Sequence, residues 1–296
     1  MFKGLCAFPL TPLIAGEIDE RTFVSLITNL AEARVDSIGA LGSTGSYAYL
    51  TRAQRLRGTQ LAVTAANGIP VMTSIGAVRV EEVLNLAVDA QQAGVSGVLL
   101  APLSYQPLGG DEVYELYSRV VRELSVPLCV YDNPATTGFS FSDELLSAIA
   151  GLPGVNSVKL GSLPAEREEA RVRIAALRSK IPAHVTIGIS GDAQSARGLL
   201  AGCDVWYSVL AGLFPQYSRI LTRAAQAGDE EKVNQLDGAL EALWVFYRRY
   251  GSLRVIATVA ELLGRVQTPC LPFPLRTIQG GERELLQQKL NLLNLY

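Results

Sequence analysis

Up to residue 228 the chain alternates short apolar runs with amphipathic stretches, and it does so eight times. No single motif limits the fold as much. The runs lie at 5–8, 37–41, 71–75, 97–101, 128–131, 157–160, 185–189 and 205–209. They are too short for stable helices and too apolar for loops, so they read as buried strands. The stretches between them, at 19–33, 51–66, 80–93, 111–124, 142–150, 165–179, 193–201 and 214–227, carry helical periodicity. Asp19, Thr51 and Ser142 stand where N-caps belong, and Gly94 and Gly228 where helices end. Eight strand–helix units in series, closed on themselves, predict a (β/α)8 TIM barrel. An open doubly wound sheet would want a glycine-rich fingerprint after the first strand, and Phe8-Pro9-Leu10-Thr11-Pro12 is not one.

Beyond residue 228 the alternation stops. Residues 229–263 and 281–294 are helical in period, with Pro269, Pro272 and Pro274 in the loop between them. The expected organisation is therefore a barrel over 1–228 and a C-terminal helical extension over 229–296, packed on the barrel. A chain of 296 residues, 49% hydrophobic and 18% charged, can fill such a core.

A formal net charge of −2 gives no reason to expect nucleic acid or an anionic membrane. No apolar run approaches the ~20 residues of a membrane span, and Pro9 interrupts the segment in which a signal peptide needs an apolar helix. The sequence thus reads as a soluble, cytoplasmic protein. Cys6, Cys129, Cys203 and Cys270 are far apart and form no C-x-x-C, so they read as reduced thiols. The single histidine, His184, falls at the start of strand seven. That leaves no His-based triad, and the lack of a Cys/His cluster counts against zinc.

In a barrel the chemistry sits at the C-terminal ends of the strands. Only five lysines occur, and Lys159 alone lies at such an end, in Ser157-Val158-Lys159-Leu160-Gly161. Lysine amines withheld from water become nucleophiles for carbonyl carbon; the alternative is an amine that snorkels to solvent or pairs with a carboxylate. Strand two runs into Gly42-Ser43-Thr44-Gly45-Ser46, a tight turn whose amides and hydroxyls could cradle a carboxylate. Strand five ends at Tyr131, a phenol beside strand six. Gly191, in the Ser190-Gly191-Asp192 turn after strand seven, and Ser208, near the end of strand eight, are further substrate-binding candidates. Glu166, Glu168 and Glu169 look like a solvated helix face, which leaves acid–base work to phenols and hydroxyls.

Taken together, Gly-Ser-Thr-Gly after strand two, Tyr131-x-x-Pro134-x-x-x-Gly138 after strand five, Ser-Val-Lys159 in strand six and Ser-Gly-Asp after strand seven occur in order. This arrangement resembles the dihydrodipicolinate synthase/N-acetylneuraminate lyase family of pyruvate-handling class I aldolases. The likeness runs from Phe2 to about Ile256 and includes Ala7-Phe8-Pro9-Leu10-Thr11-Pro12 and Gly16-Glu17-Ile18-Asp19. The resemblance implies a Schiff base between Lys159 and the keto carbon of pyruvate. It also implies proton transfer by Tyr131, a relay hydroxyl on Ser43, and a carboxylate cradle formed by Thr44 with the turn amides, Gly45 included. The implied chemistry requires no metal or organic cofactor; the implied partners are a 2-oxo acid and an aldehyde, and the implied assembly is a homotetramer, a dimer of dimers.

The sequence departs from the family pattern at three places. Ser46 stands where Gly-x-Thr-Gly-Glu often has its glutamate. The second tyrosine of the relay, donated across a subunit contact, belongs to a Tyr-Tyr-x-x-Pro pattern; here Ser104 fills its slot before Pro107, and Tyr105 comes one residue late. Tyr105 is the candidate for the reaching residue. Third, Thr136 occupies the arginine position of Tyr-x-x-Pro-x-Arg-x-Gly, and a neutral threonine cannot form the bidentate pair that would hold an anionic aldehyde. A hydroxyl-rich or uncharged aldehyde fits Thr136 better, which favours a 2-keto-3-deoxy sugar acid lyase over lysine-pathway synthesis. A 2-keto-3-deoxy acid dehydratase of the same family, or a non-catalytic 2-oxo-acid-binding barrel, are the rival readings.

Overall fold

Each apolar run becomes a strand in the computed structural model, which describes residues 1–293 and 295. The strands are β1 (Gly4–Ala7), β2 (Ser37–Ala40), β3 (Val71–Ser74), β4 (Gly97–Leu100), β5 (Leu128–Asp132), β6 (Val155–Leu160), β7 (Thr186–Ser190) and β8 (Val205–Ser208). All are parallel to their neighbours, and β1 pairs with both β2 and β8, so the sheet closes into a barrel. Nearly every strand position is buried, as expected when helices cover the outer face and side chains fill the inside. The fold is a (β/α)8 TIM barrel with a C-terminal helical extension, as the alternation predicted.

Helix boundaries follow local chemistry. Asp19 accepts a hydrogen bond from the Thr22 amide, Ser142 from the Leu145 amide, and Thr51 forms a capping box with Gln54. A hairpin too short for the sequence to announce, Leu13–Ile14 against Glu17–Ile18, precedes the first helix.

Period-two alternation sorts the strand residues into two cores. One set faces the helices and builds the large outer core, from Leu5 and Val130 to Trp206. The other set points inward and builds a separate cluster that includes Cys6, Met72, Leu99, Cys129, Tyr131 and Tyr207.

The extension is divided more finely than expected. Residues 229–263 form three helices, Glu230–Ala239, Glu241–Tyr250 and Ser252–Leu262, and a fourth runs over Gly280–Asn291. Gly251, at φ 79°, turns the chain between the second and third, a backbone conformation that disfavours a side chain. Leu243, Trp244, Val255, Val259 and Leu286 join the same core as the barrel helices, so the extension shares the barrel's hydrophobic interior. Among the described residues no helix is long and apolar enough to cross a membrane. The four cysteines are free and buried.

Candidate active site

The parallel register of β5 and β6 makes Tyr131 and Lys159 direct cross-strand partners, and β7 sets Gly188 on the other side of Lys159. All three therefore share the inward face. Lys159 is 4% exposed. Its Nζ lies 3.8 Å from the Phe8 ring centroid, 4.1 Å from that of Tyr131 and 5.4 Å from that of Tyr207. Such a cage of ring faces suits an amine that has little water around it. No carboxylate pairs with Lys159 among the described residues.

Glycines make the cage possible. A side chain on Gly39 or Gly42 would overlap the Phe8 ring, and one on Gly188 would overlap Tyr207. These absent side chains let the two rings reach the barrel axis. Below the amine a hydrogen-bonded layer fills the barrel: Thr186 Oγ1 donates to Ser157 Oγ at 2.7 Å, and Ser157 Oγ shares a 2.7 Å bond with the Tyr207 hydroxyl. Burial holds the Tyr207 phenol well above its ordinary range, so it stays protonated and serves as floor. Asn133 Nδ2 donates to the Tyr131 hydroxyl at 3.0 Å and to Thr136 Oγ1 at 2.9 Å, fixing both beside the amine's strand.

Above the amine the interior opens into a cleft of about 510 Å³. Ser43, Thr44, Tyr131, Thr136, Lys159 and Gly191 all line it, so the tertiary structure brings together most of the residues singled out in the sequence. The Gly42–Ser46 turn enters through Ser46 in the left-handed region, at φ 54°, with the Ser46 amide donating to the Ser43 carbonyl at 3.1 Å. Gln194 ties the loop after β6 to the turn after β7: its Nε2 donates to the Gly161 carbonyl, and its Oε1 accepts from the Leu163 amide.

Three candidates lie elsewhere. Gly45 is not among the lining residues; a side chain there would stand 2.8 Å from Leu41 Cα and 2.9 Å from Thr11 Oγ1, so close backbone packing already demands a glycine. Ser208 is fully buried and its Oγ accepts from the Ala211 amide at 3.0 Å, which shapes the turn after β8. Tyr105 is 91% exposed and outside the cleft of its own chain. His184 borders a separate hollow with Met1, Phe2 and Lys3 at the N-terminal ends of the strands.

The model of the dihydrodipicolinate synthetase family matches residues 1–293. The chain belongs to the dihydrodipicolinate synthetase family. A 4-hydroxy-tetrahydrodipicolinate synthase of Trichlorobacter lovleyi is 29% identical over 240 residues, 80% of each chain. A DapA-like lyase of Halobacterium salinarum is 27% identical over 281 residues, 94% of this chain and 89% of that one. The crystal structure of a dihydrodipicolinate synthase from Agrobacterium tumefaciens superposes with a TM-score of 0.95 at 42% identity, covering 99% of this chain and 98% of that one. Membership of the dihydrodipicolinate synthetase family makes the chain a carbon–carbon lyase of the class I, pyruvate-dependent aldolase type.

Some lining residues escaped the sequence reading. Phe8 follows β1, and Tyr47 and Tyr49 lie in the short helix after the Gly42–Ser46 turn. Gly251, Ser252, Leu253, Arg254 and Leu275 come from the extension and roof the cleft. The aromatic spacing in Tyr47-Ala48-Tyr49 was a visible signal for the first group. The roof had none, because only the packing of the extension carries those residues to the site.

Proposed function

We propose that this lyase forms a Schiff base between Lys159 and the keto carbon of a 2-oxo acid, pyruvate or a pyruvate-releasing substrate. One observation carries the reading: a buried, unpaired amine stands cross-strand from a phenol inside a cleft whose lining, among the described residues, includes the Arg254 guanidinium and no carboxylate. A positively lined cleft favours an anionic substrate, and an amine outside any ion pair is free to approach a carbonyl carbon. The protonated imine is an electron sink, so the adjacent carbon leaves as, or attacks as, an enamine. Tyr131, oriented by Asn133, passes the proton, and Ser43 takes the relay position. Thr44 with the turn amides receives the carboxylate. No metal or organic cofactor enters this chemistry.

For the second partner we propose a hydroxyl-bearing aldehyde, released from or added to give a 2-keto-3-deoxy sugar acid. Thr136 and Asn133 supply hydroxyl and amide groups at the position where an anionic aldehyde would need a guanidinium. We further propose a cytoplasmic location and a homotetramer, the latter in keeping with a groove in which Ala77, Val78, Leu103 and Leu108 lie beside Glu112, Glu115 and Arg119, and with the 63% exposure of Val78. Sedimentation as a monomer at working concentrations would refute the assembly.

Incubation with pyruvate and borohydride, followed by mass spectrometry of the peptides, tests the imine: the adduct is expected on Lys159 and on no other lysine. Turnover with a panel of 2-keto-3-deoxy sugar acids tests the substrate class. A carboxylate of aspartate semialdehyde seated at Thr136, and not at Arg254, is left unpaired at a cost of about 2–5 kcal/mol, so this aldehyde should be a poor partner. Thr136→Arg should raise its use relative to a neutral aldehyde. Efficient turnover of aspartate semialdehyde by the unaltered protein would defeat the argument from Thr136.

A further inference from the structure

We propose that Tyr47 is the second phenol of this site, supplied within one chain, and that it donates a hydrogen bond to a substrate oxygen beside Lys159. The inference rests on the Schiff-base reading above and goes on to name a residue that touches the substrate. It replaces the expectation that the second phenol is Tyr105 of a neighbouring copy.

Tyr47 is 6% exposed, yet it lines the cleft together with Ser43, Thr44, Tyr131 and Lys159. It packs with Leu13, Leu41 and Leu50, which hold the body of the side chain. The Arg55 guanidinium lies 5.0 Å from the ring centroid and is itself fixed, donating to the Ser74 carbonyl at 2.7 Å and the Gly76 carbonyl at 3.0 Å. The ring is thus clamped between an apolar cluster and a buried cation bonded to the chain just beyond β3.

The hydroxyl has no such anchor. It accepts from and donates to no group among the described residues. A side chain on Gly76 would stand 3.1 Å from it and 3.4 Å from the Ala101 carbonyl, so it sits at the ends of β3 and β4, where only a glycine leaves it room. The ring is buried while the residue borders the open cleft, and a rigid phenol with a free hydroxyl in a substrate cleft is placed to bond the substrate. Burial pushes the phenol up to about 12, against the pull of Arg55, so near neutral pH it keeps its proton and acts as a donor. The plain structural role, filling the core, would be met by phenylalanine at the same position.

Tyr105 is 91% exposed and outside the cleft of its own chain, so it could serve only in a neighbouring copy. The sequence offers Ser104 where the family places its reaching tyrosine, and Ser104 Oγ donates to the Gln106 carbonyl of its own loop. Tyr47 resolves that gap without a subunit contact.

The test needs only pyruvate, not the unidentified aldehyde. An enamine takes up solvent hydrogen at the methyl carbon, so exchange of the pyruvate methyl protons in D2O, followed by NMR, reports the site's proton chemistry. Tyr47→Phe removes one oxygen that has no partner among the described residues, so an unchanged melting temperature is expected. Borohydride trapping on Lys159 should persist, while kcat/KM for exchange should fall about 10- to 100-fold, the scale of one hydrogen bond to a charged substrate. Exchange at the full rate in Tyr47→Phe would overturn the assignment. So would loss of exchange in Tyr105→Phe with Tyr47→Phe unaffected. If the unaltered protein neither traps nor exchanges pyruvate, the Lys159 reading falls, and this inference with it.

Discussion

The two ends of the barrel interior are built from the same eight strands and do opposite things. At the N-terminal end, Phe2, Cys6, Met72 and Leu99 close the axis, with Met1 and Phe2 packed against Gly97. The Cys6 thiol there is buried, and burial pushes it up to about 12, so it stays protonated. At the C-terminal end the same inward-facing positions present Phe8, Tyr131 and Lys159, and the packing stops short to leave the cleft. The layer of Thr186, Ser157 and Tyr207 divides the two. Parallel strands place all the strand-to-helix loops at the C-terminal end, so a barrel can hold stability at the closed end and chemistry at the open one.

That division can be broken most completely at Lys159. Lys159→Ala should abolish lyase activity and borohydride trapping while leaving the melting temperature near that of the unaltered protein. Lys159→Arg should fail equally, since a guanidinium does not give up its proton. A trapped adduct in either variant would sink the assignment. Next in size, Tyr131→Phe should lower turnover by roughly 10²–10⁴-fold, the usual scale for one positioned proton-transfer group. Pyruvate should still bind to the turn at Ser43 and Thr44, and an unchanged kcat would reduce Tyr131 to packing.

The closed end should answer in a different quantity. Met72 is fully buried, and Met72→Ala should cost about 2–5 kcal/mol of stability, read as a lower denaturation midpoint. Trapping of pyruvate at saturating concentration should survive. Loss of trapping with little loss of stability would mean that the two ends are not separable.

The smallest effect concerns Asp192, buried in the turn after β7. Its carboxylate accepts from Trp206 Nε1 at 2.9 Å and from the amides of Val209 and Leu210. Burial raises it from 3.8 to about 6, outweighing those bonds. The folded state therefore binds this proton more tightly than the unfolded one, so the carboxyl's own contribution to stability is greatest below about 4, declines as pH rises toward about 6, and is level above that. At ~1.4 kcal/mol per unit the total is about 3 kcal/mol at most. Asp192→Asn should flatten this part of the pH–stability curve, and an unaltered slope would show that another group is responsible.

Several choices were already made in the sequence. Eightfold alternation gave the barrel because runs of four to six apolar residues can be buried on both faces only in a parallel sheet covered by helices. Ser142, Thr51 and Asp19 marked their helices because caps are local chemistry. Lys159 and Tyr131 were legible as neighbours because consecutive strands of a barrel pair in order and strand parity is fixed.

Other features depended on contacts between segments far apart in the chain. The depth of Lys159 among three rings depends on glycines in β2 and β7 that leave space for Phe8 and Tyr207. The roof from Gly251 to Arg254 depends on how the extension docks, and the free hydroxyl of Tyr47 on where Arg55 fastens its ring. Local pattern encodes which elements form and which way their side chains face. The volume left between them, and which distant groups border it, is set only when all the elements pack at once.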